Sequence, residues 1–575
     1  MRKTIPYGQA NYEEIVENNN YFVDKTHYIA TLESVNNPIF LRPRKFGKSL
    51  WCRILELYYG VKYADDFERL FGHTYIGQHP TPKRNAYLIL HLDFSKIKPG
   101  QTLAKIEESF DSVCNKALKI TFQQAQPHSI KLDESVNATS NLDTLLTDIE
   151  LQDIPPIYVI IDEYDNFANQ LITQSKTGLY YELTDDDSFF KTFFKTLKSG
   201  RKMGSIANIF ITGVLPLVVD DLASGYNIGT FLTLRPDFED MLGFTQAEVT
   251  QLLDEVYQDY GFDPTTRRHV EEVIKNHYDG YYFVRSPQHQ ASKALYNSTI
   301  LMYFLDYFCR TGELPEHLTD QNLKTDLSWA KRLTVANPTL TEEFVNDITV
   351  QNSVVYDRRY LVEKFNMAQF HDESYFPTAF FYLGMLTQAD HFHLSLPNLN
   401  MRQIFVEYFN QIHQISVSKN HTEYMSAFLD TLSLEDLFAG YWHNYIAQFP
   451  EAIFNKVNEN FYRSTFYELC SRHLSAWFTW NMERSYPSGK SDLEFVGKFN
   501  ERYAGLRWVI EFKYYSNTKV KDSKIKIDTF KLKKADTRQL AGYVQGLKQE
   551  YPEAIISQYV IYCFGNQGFR VFPVS

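Results

Sequence analysis

Gly47-Lys48-Ser49 offers the first chemistry in the chain. It follows an apolar strand end, Pro38-Ile39-Phe40-Leu41, and a basic loop, Arg42-Pro43-Arg44-Lys45-Phe46, and it opens an amphipathic helix. That is the build of a P-loop: backbone N–H groups at a helix N-terminus cradle phosphates, the lysine reaches the outer phosphates, and the serine hydroxyl holds Mg²⁺. Arg42, Pro43, Arg44, Lys45, Phe46, Gly47, Lys48 and Ser49 are therefore the candidate nucleotide-binding set, with ATP and Mg²⁺ as cofactors. Arg42 stands where the pattern G-x-x-x-x-G-K-[ST] has its first glycine, and a side chain there constrains the loop. A partner strand, Ile157-Tyr158-Val159-Ile160-Ile161, ends in Asp162-Glu163. Asp162 is placed to hold Mg²⁺ through water and Glu163 to orient or activate the attacking water. An acidic pair after a strand more often caps a helix; its pairing with a P-loop in one α/β pattern gives it catalytic meaning. Thr212, ending the strand Asn208–Thr212, is the candidate γ-phosphate sensor, although a threonine there is usually structural.

A second cluster lies near the C-terminus. Asp492 and Glu494 precede a strand, Leu506-Arg507-Trp508-Val509-Ile510-Glu511-Phe512-Lys513. Strand alternation puts Asp492, Glu494 and Val496 on one face, and Val509, Glu511 and Lys513 on one face of the next strand. Two adjacent strands would bring Asp492, Glu511 and Lys513 together. Two carboxylates and a backbone carbonyl make an oxygen-rich Mg²⁺ site with open water positions. A neighbouring lysine can polarise the attacking water while the metal stabilises charge on a phosphodiester. Asp492 and Glu511 are the expected metal ligands, Lys513 the water-organising group and Gln539, on a later helix, a supporting residue. Glu468 is a further acidic candidate. Taken alone, a Glu-x-Lys on a strand is most often an ordinary surface pair.

These residues need elements to position them. At 575 residues the chain exceeds a single core, and roughly three or four domains are expected. Residues 1–235 alternate strand-like and helix-like segments, which predicts an α/β domain on a parallel sheet. Residues 236–440 read as helical, a lid or coupler, with amphipathic stretches at Thr245–Tyr260, Thr265–Tyr278 and Ile300–Cys309. Residues 441–575 read as a small α/β unit: one or two helices over Asn455–Phe478, strands Ser491–Val496 and Leu506–Lys513, a helix near Ala535–Gln549 and a final strand Tyr559–Phe564. Lys519, Lys521, Lys524, Lys526, Lys531, Lys533 and Lys534 alternate with Ile525, Ile527 and Phe530, suggesting an ordered edge strand or loop that meets phosphate backbone; a charge run is otherwise a solvated face. The net charge of −12 excludes a uniformly basic nucleic-acid coat but leaves a local groove open. Five scattered cysteines without a C-x-x-C argue against a zinc ribbon and for a reducing compartment. The N-terminus has no apolar core of signal-peptide length and no segment approaches a membrane span, so a cytoplasmic protein without membrane association is expected.

Linked blocks carry a resemblance. Ile5-Pro6-Tyr7-Gly8, Tyr21-Phe22-Val23-Asp24-Lys25-Thr26, the loop 42–49, Ile160–Asp165, Thr212-Gly213-Val214, Ser224–Ile228, Met241–Thr245 and Tyr278-Asp279-Gly280-Tyr281 look like the bacterial AAA-ATPase-like family over roughly residues 1–300. The R-P-R-[RK]-F-G-K-S loop is that family's own variant, so the resemblance implies ATP binding and hydrolysis with Arg42 in place. The Asp492…Glu511-x-Lys513 arrangement, with Gln539 and Tyr543 on a following helix, resembles the PD-(D/E)XK nuclease superfamily, which is often fused to such ATPases. Its leading proline is replaced by Ser491. The resemblance implies a Mg²⁺-dependent nuclease-like domain acting on nucleic acid, DNA ahead of RNA, and by analogy a setting in defence against foreign DNA. The alternative is a nucleotide-controlled switch whose terminal domain binds nucleic acid or protein without cleaving it. The fold leaves a homo-oligomer open, with Arg201 or Arg235 as finger candidates.

Overall fold

The computed structural model describes residues 2–125, 132–133, 135–152, 154–174, 176–216, 227–285, 293–319, 338–362, 374–418 and 420–574. Of the family-like blocks, Ser224–Tyr226 lie outside the described residues.

The N-terminal domain is a five-stranded, wholly parallel sheet. Its strands are β1 (Pro38–Leu41), β2 (Leu88–Asp93), β3 (Ile157–Asp162), β4 (Ile206–Gly213) and β5 (Thr230–Phe231), in the order β2-β3-β4-β1-β5. Parallel strands need crossovers, and α1 (Lys48–Tyr59), α2 (Leu103–Gln124), α3 (Ala138–Leu151) and α4 (Phe189–Met203) supply them. Both sheet faces are covered, which is why the strands read as unbroken apolar runs. Alternate residues divide cleanly: Phe40, Ile89, Ile160 and Phe210 pack with Trp51 and Leu55 of α1, while Ile39, Leu90, Val159 and Ile211 join the larger core on the other face.

In the middle region, α5 (Gln246–Tyr260) starts with a capping box between Thr245 and Glu248, and α6 (Arg267–Tyr278) and α7 (Ser298–Thr311) follow. The region is not purely helical. Beyond α8 (Pro338–Gln351) come β6 (Ser353–Val355), α9 (Phe376–Tyr382), β7 (Thr387–Gln388) and β8 (His393–Ser395), with the strands antiparallel in the order β6-β8-β7. Strands of two or three residues are too short for a period-2 pattern to register, so the sequence read as helix throughout. α9 is buried along its whole length, and Gly384 just after it presses on the P-loop: a Cβ there would stand 2.6 Å from Pro43. α10 (Leu399–Ile412) and a helix over Thr422–Thr431 follow.

The C-terminal domain follows α11 (Glu459–Leu474) with β9 (Phe478–Met482), β10 (Leu493–Gly497), β11 (Leu506–Tyr515), α12 (Lys534–Glu550), β12 (Ile555–Phe564) and β13 (Gly568–Val574), a sheet in chain order β9 to β13. β11 and β12 are parallel and joined through α12; the other neighbours are antiparallel. The helical stretch expected over Asn455–Phe478 is shorter, because Phe478 begins β9. β13 is an added edge strand, disguised by Pro573, which an edge tolerates. The lysine-rich connector is not an edge strand: it holds a short helix, Asn517–Asp522, capped by Ser516, and a turn at Ile527–Thr529. The helix Leu434–Asn444 also packs here, with Phe438 against Phe466, Phe512 and Phe569. Among the described residues no helix is long and apolar enough to cross a membrane.

α6 touches both ends of the molecule. Asn276 Nδ2 donates to Asn481 Oδ1 of β9 at 2.5 Å, and His269 Nε2 is 2.9 Å from Thr479 Oγ1. Glu272 pairs with Arg484 at 2.7 Å and Arg507 at 3.5 Å, and takes a hydrogen bond from the Tyr551 hydroxyl. Past the other end of the helix, Tyr281 packs edge-on against Phe46 of the P-loop, ring centres 5.1 Å apart.

Candidate active sites

Gly47 precedes α1 at φ +91°, a conformation that favours glycine, and Lys45 turns at φ +71°. The amides of the first α1 turn and the exposed Ser49 thus face a cavity of about 480 Å³. Arg44, Lys48 and Glu163 line it together with Tyr21, Val23, Met241 and Met302. A space of this size, with both apolar and charged lining, suits a nucleotide. The Lys48 ammonium is folded back, donating to the Arg42 and Pro43 carbonyls at 3.0 Å each. Burial lowers its pKa, with Glu163 and Asp162 pulling the other way. The loop is braced from behind by the start of α7, where Thr299 N donates to Lys45 O at 3.0 Å and Asn297 Nδ2 to Arg44 O at 3.3 Å.

Asp162 ends β3 in register with Asp93 of β2. Its Oδ1 is buried without a partner, and Ser49, Asp93, Asp162 and Glu163 share a groove adjoining the cavity. An orphaned carboxylate oxygen facing a serine on the first helical turn fits a hard divalent cation. Glu163 sits at φ +52°, a strained backbone for a glutamate, and burial raises its pKa against the opposing Lys48.

Two expected nucleotide contacts, Arg42 and Thr212, fall elsewhere. The Arg42 guanidinium is fully buried: Nη1 donates to Leu41 O (3.1 Å) and Thr233 O (2.9 Å), Nη2 to Glu239 O (2.9 Å), and the group lies between the Phe40 and Phe283 rings at 4.3 and 4.1 Å. It braces the loop; only its carbonyl faces Lys48. Phe46 lines the cavity, with its ring packed against Tyr281 and Phe283. The Thr212 hydroxyl donates to Phe40 O at 2.8 Å, and the side chain is 1% exposed, so its role is to tie β4 to β1. Arg201 is anchored to its own chain through Ile206 O and Asn37. Asp165, by contrast, was not singled out from the sequence. It accepts from Val214 N (3.1 Å) and Leu215 N (2.7 Å), fastening the end of β4 to the acidic turn. The signal available was the second aspartate of Asp162-Glu163-Tyr164-Asp165.

At the other site, β10 and β11 pair with Leu493 opposite Ile510, which sets Asp492 beside Glu511. Asp492 Oδ2 accepts from Phe512 N at 2.8 Å, and Lys513 Nζ donates to Glu511 Oε1 at 2.7 Å. Glu511 Oε2 is buried with no hydrogen-bond partner, which fits a cation ligand. Among the described residues no three His, Cys, Asp or Glu side chains form a complete metal cage. Two carboxylates with open positions are nonetheless what Mg²⁺ accepts. Burial, then the neighbouring Asp492, pushes the Glu511 carboxyl up; burial pushes Asp492 up against the pull of Arg463. For Lys513, burial is outweighed by Glu511, Glu459 and Asp492, and its pKa rises.

The acidic neighbour on α11 is Glu459, in its first turn, and not Glu468, which is fully buried and paired with Arg472. Burial and then Asp492 raise Glu459 to about 7. A carboxylate in the first turn of a helix that abuts the sheet was the available signal. Glu494 turns away to Ser491 Oγ, Asn481 Nδ2 and the Tyr486 hydroxyl. Gln539 approaches through an intermediary: its Nε2 donates to the Tyr543 hydroxyl at 2.6 Å, which donates to Lys490 O at 2.6 Å. The seven lysines of the connector are exposed, two of them, Lys519 and Lys533, over the Tyr515 ring.

Residues 6–223 match the family described as predicted AAA-ATPase, and residues 457–572 match the PD-(D/E)XK nuclease superfamily. No curated protein matches the chain. A solved structure of the Aeropyrum pernix ORC2 protein in ADPNP and ADP complexes aligns over 68% of this chain and 92% of its own, at 12% identity and a TM-score of 0.30, too low a score for shared topology to be read from it. The two family matches coincide with the parallel-sheet domain and the C-terminal sheet: the chain is an AAA-ATPase-like domain joined through a largely helical middle region to a PD-(D/E)XK nuclease superfamily domain.

Proposed function

We propose that the protein binds and hydrolyses ATP at the P-loop and cleaves nucleic acid at the Asp492–Glu511–Lys513 cluster. One observation carries the reading: at each site a buried carboxylate oxygen, Asp162 Oδ1 or Glu511 Oε2, lies unpaired beside a lysine-bearing cluster. On nucleotide entry Lys48 exchanges the Arg42 and Pro43 carbonyls for phosphate oxygens, and Glu163 takes the proton of the attacking water. Burial raises its pKa, which makes it a stronger base than a free carboxylate. Ser49 and Asp162 would hold Mg²⁺ in the first site, Asp492 and Glu511 in the second. Mg²⁺, when bound, offsets the charge that develops on phosphate oxygens. In the second site Lys513 orients the water, Tyr543 and Gln539 close one edge, and the exposed lysines of 519–534 meet the phosphate backbone of DNA. Defence against foreign DNA is the setting this combination suits by analogy, in a cytoplasmic protein.

The Arg463 guanidinium rests on Asp492 at 2.9 Å, which favours a second reading, a nucleotide-controlled domain that binds nucleic acid without cutting it. One experiment separates them. Purified protein is incubated with single- and double-stranded DNA and RNA, Mg²⁺ or Mn²⁺, with and without ATP, alongside Lys48→Ala and Asp492→Ala. Cleavage lost in Asp492→Ala is expected. Binding without cleavage under every condition supports the second reading, and full ATP hydrolysis by Lys48→Ala refutes the first site.

A further inference from the structure

Asp492 already holds a cation. Arg463 Nη1 donates to its Oδ1 at 2.9 Å, and the backbone amide of Phe512 takes Oδ2, so neither oxygen is free of a donor. Arg463 and Asp492 are 8% and 7% exposed. The same guanidinium has a second set of acceptors: its Nη2 donates to Glu483 Oε1 and to Asn460 Oδ1, both at 2.8 Å. Glu483 in turn is shared. Its Oε2 stands 3.9 Å from Nη2 of Arg402, which belongs to α10 of the middle region. Arg402 donates to Asn352 Oδ1 at 2.8 Å, just past α8, and to Ser464 Oγ at 2.8 Å on α11. Asn352 and Glu483 both sit at positive φ, +63° and +53°, an uncommon backbone for the glutamate. The Nε atoms of Arg463 and Arg402 are buried without partners, so neither guanidinium is fully satisfied where it stands.

We propose that Arg463 is a built-in competitor for the metal at Asp492, and that Arg402 sets the competition by occupying Glu483. While Arg402 faces Glu483, that carboxylate offers Arg463 one oxygen, and the other fork of the guanidinium stays on Asp492. When the middle region carries Arg402 away, both Glu483 oxygens become available. Arg463 then makes the two-bonded fork that arginine and carboxylate prefer, and Asp492 is released to a divalent cation. The nuclease-like site is thereby closed by default and opened by movement of the region that also presses on the P-loop through Gly384. The inference rests on reading Asp492 and Glu511 as a metal site.

The test measures Mn²⁺ binding to nucleotide-free full-length protein at pH 8 by electron paramagnetic resonance, with Asp492→Asn as the blank that removes the second site. Arg463→Gln removes the competitor and is expected to tighten Asp492-dependent binding by about tenfold, as loss of a like charge in contact implies. Arg402→Met frees Glu483 and is expected to tighten it as well. Glu483→Gln removes the alternative seat and is expected to weaken it. A fold check by melting temperature accompanies each variant. Because a merely structural role for these residues would weaken binding in all three, unchanged or weaker binding in both arginine variants overturns the lock while leaving the metal site standing. If neither wild type nor the arginine variants show Mn²⁺ binding that Asp492→Asn abolishes, the metal site itself fails and the lock with it.

Discussion

Replacing Arg42 by glycine would restore the standard P-loop pattern, and the structure says it would wreck the loop. The guanidinium makes three hydrogen bonds, to the carbonyls of its neighbour Leu41 and of Thr233 and Glu239, and lies between two phenyl rings, with no exposure at all. A hydrogen bond from a charged donor contributes ~1.5–3 kcal/mol and a desolvated cation–π contact ~2 kcal/mol. These are not additive, and removing one buried charged partner typically costs ~3–5 kcal/mol. Arg42→Gly adds a cavity to that loss, so a penalty of about 5 kcal/mol is expected, enough to unfold a marginal domain. In a domain of this size that lowers the melting midpoint by roughly 10 °C or more. Arg42→Lys keeps the charge but neither the fork nor the flat stack, and should lose most of it too. Burial holds the Glu239 carboxyl up at about 7 even with Arg42 opposing, so Arg42→Gly/Glu239→Gln should recover part of the loss. Thermal melts and titration with a fluorescent ATP analogue read both effects. An Arg42→Gly protein that melts like wild type and binds nucleotide equally well refutes the bracing role.

Thr212→Val should cost about 1 kcal/mol of stability, the net value of its hydrogen bond to Phe40 O, and leave the ATP hydrolysis rate within about twofold; a loss of tenfold or more would restore Thr212 as a phosphate sensor. Gly384→Ala, at φ +75° with its Cβ driven into Pro43, should cost ~2–4 kcal/mol and weaken nucleotide binding from a position far along the chain, measured by the same titration. Asp279 tests pH dependence: burial raises its carboxyl from 3.8 to about 6, and its Oδ1 has no partner. Below pH 4 both folded and unfolded states hold the proton; between about pH 4 and 6 only the folded state does, so stability falls as pH rises and the penalty, ~3 kcal/mol at about 1.36 kcal/mol per pH unit, is complete above the folded value. Asp279→Asn should therefore melt with wild type at pH 4 and above it at pH 7.5, whereas a pH-independent difference would exclude this linkage.

The sequence disclosed what periodicity and motif chemistry can encode. Gly47-Lys48-Ser49 announced a helix N-terminus because its glycine, cation and hydroxyl are each demanded by phosphate binding. The β3 run announced itself because both of its faces are buried. Asp492, Glu511 and Lys513 were legible as a set because alternation along two strands forces their convergence. Side-chain direction was not legible. Whether Arg42 points to phosphate or into the core depends on Thr233 and Glu239, roughly two hundred residues downstream, and on Phe283 beyond them. Glu468 and Glu459 occupy the same helix, and only its placement against the sheet selects the one in the first turn. Arg463 offered no signal, since an arginine in a helix is ordinary until its carboxylate partner is known to be a metal candidate.

Two of the links between the ATPase part and the nuclease-like domain differ in kind. At α6 the docking is dense: Glu272 is buried beside Arg484 and Arg507, with Arg507 stacked 3.6 Å from the Tyr551 ring, while Asn276 and His269 bond β9 directly. Pulling that helix away would leave Glu272 and Arg507 without a counter-charge, while Arg484 keeps Glu550, at a cost of several kcal/mol. The contact at Arg402 is different. It faces Glu483 at 3.9 Å, beyond hydrogen-bonding distance, and Glu483 has Arg463 as a ready alternative. Separation there hands Glu483 to Arg463 but also breaks the Arg402 bonds to Ser464 Oγ and Asn460 Oδ1. A displacement arising at the P-loop, carried through Tyr281 to α6 and through Gly384 to the segment after α9, would reach both joints. Only the one at Arg402 leads on to a candidate metal ligand, so the relay from Asn352 to Asp492 is where a change in the nucleotide site would reach the second site.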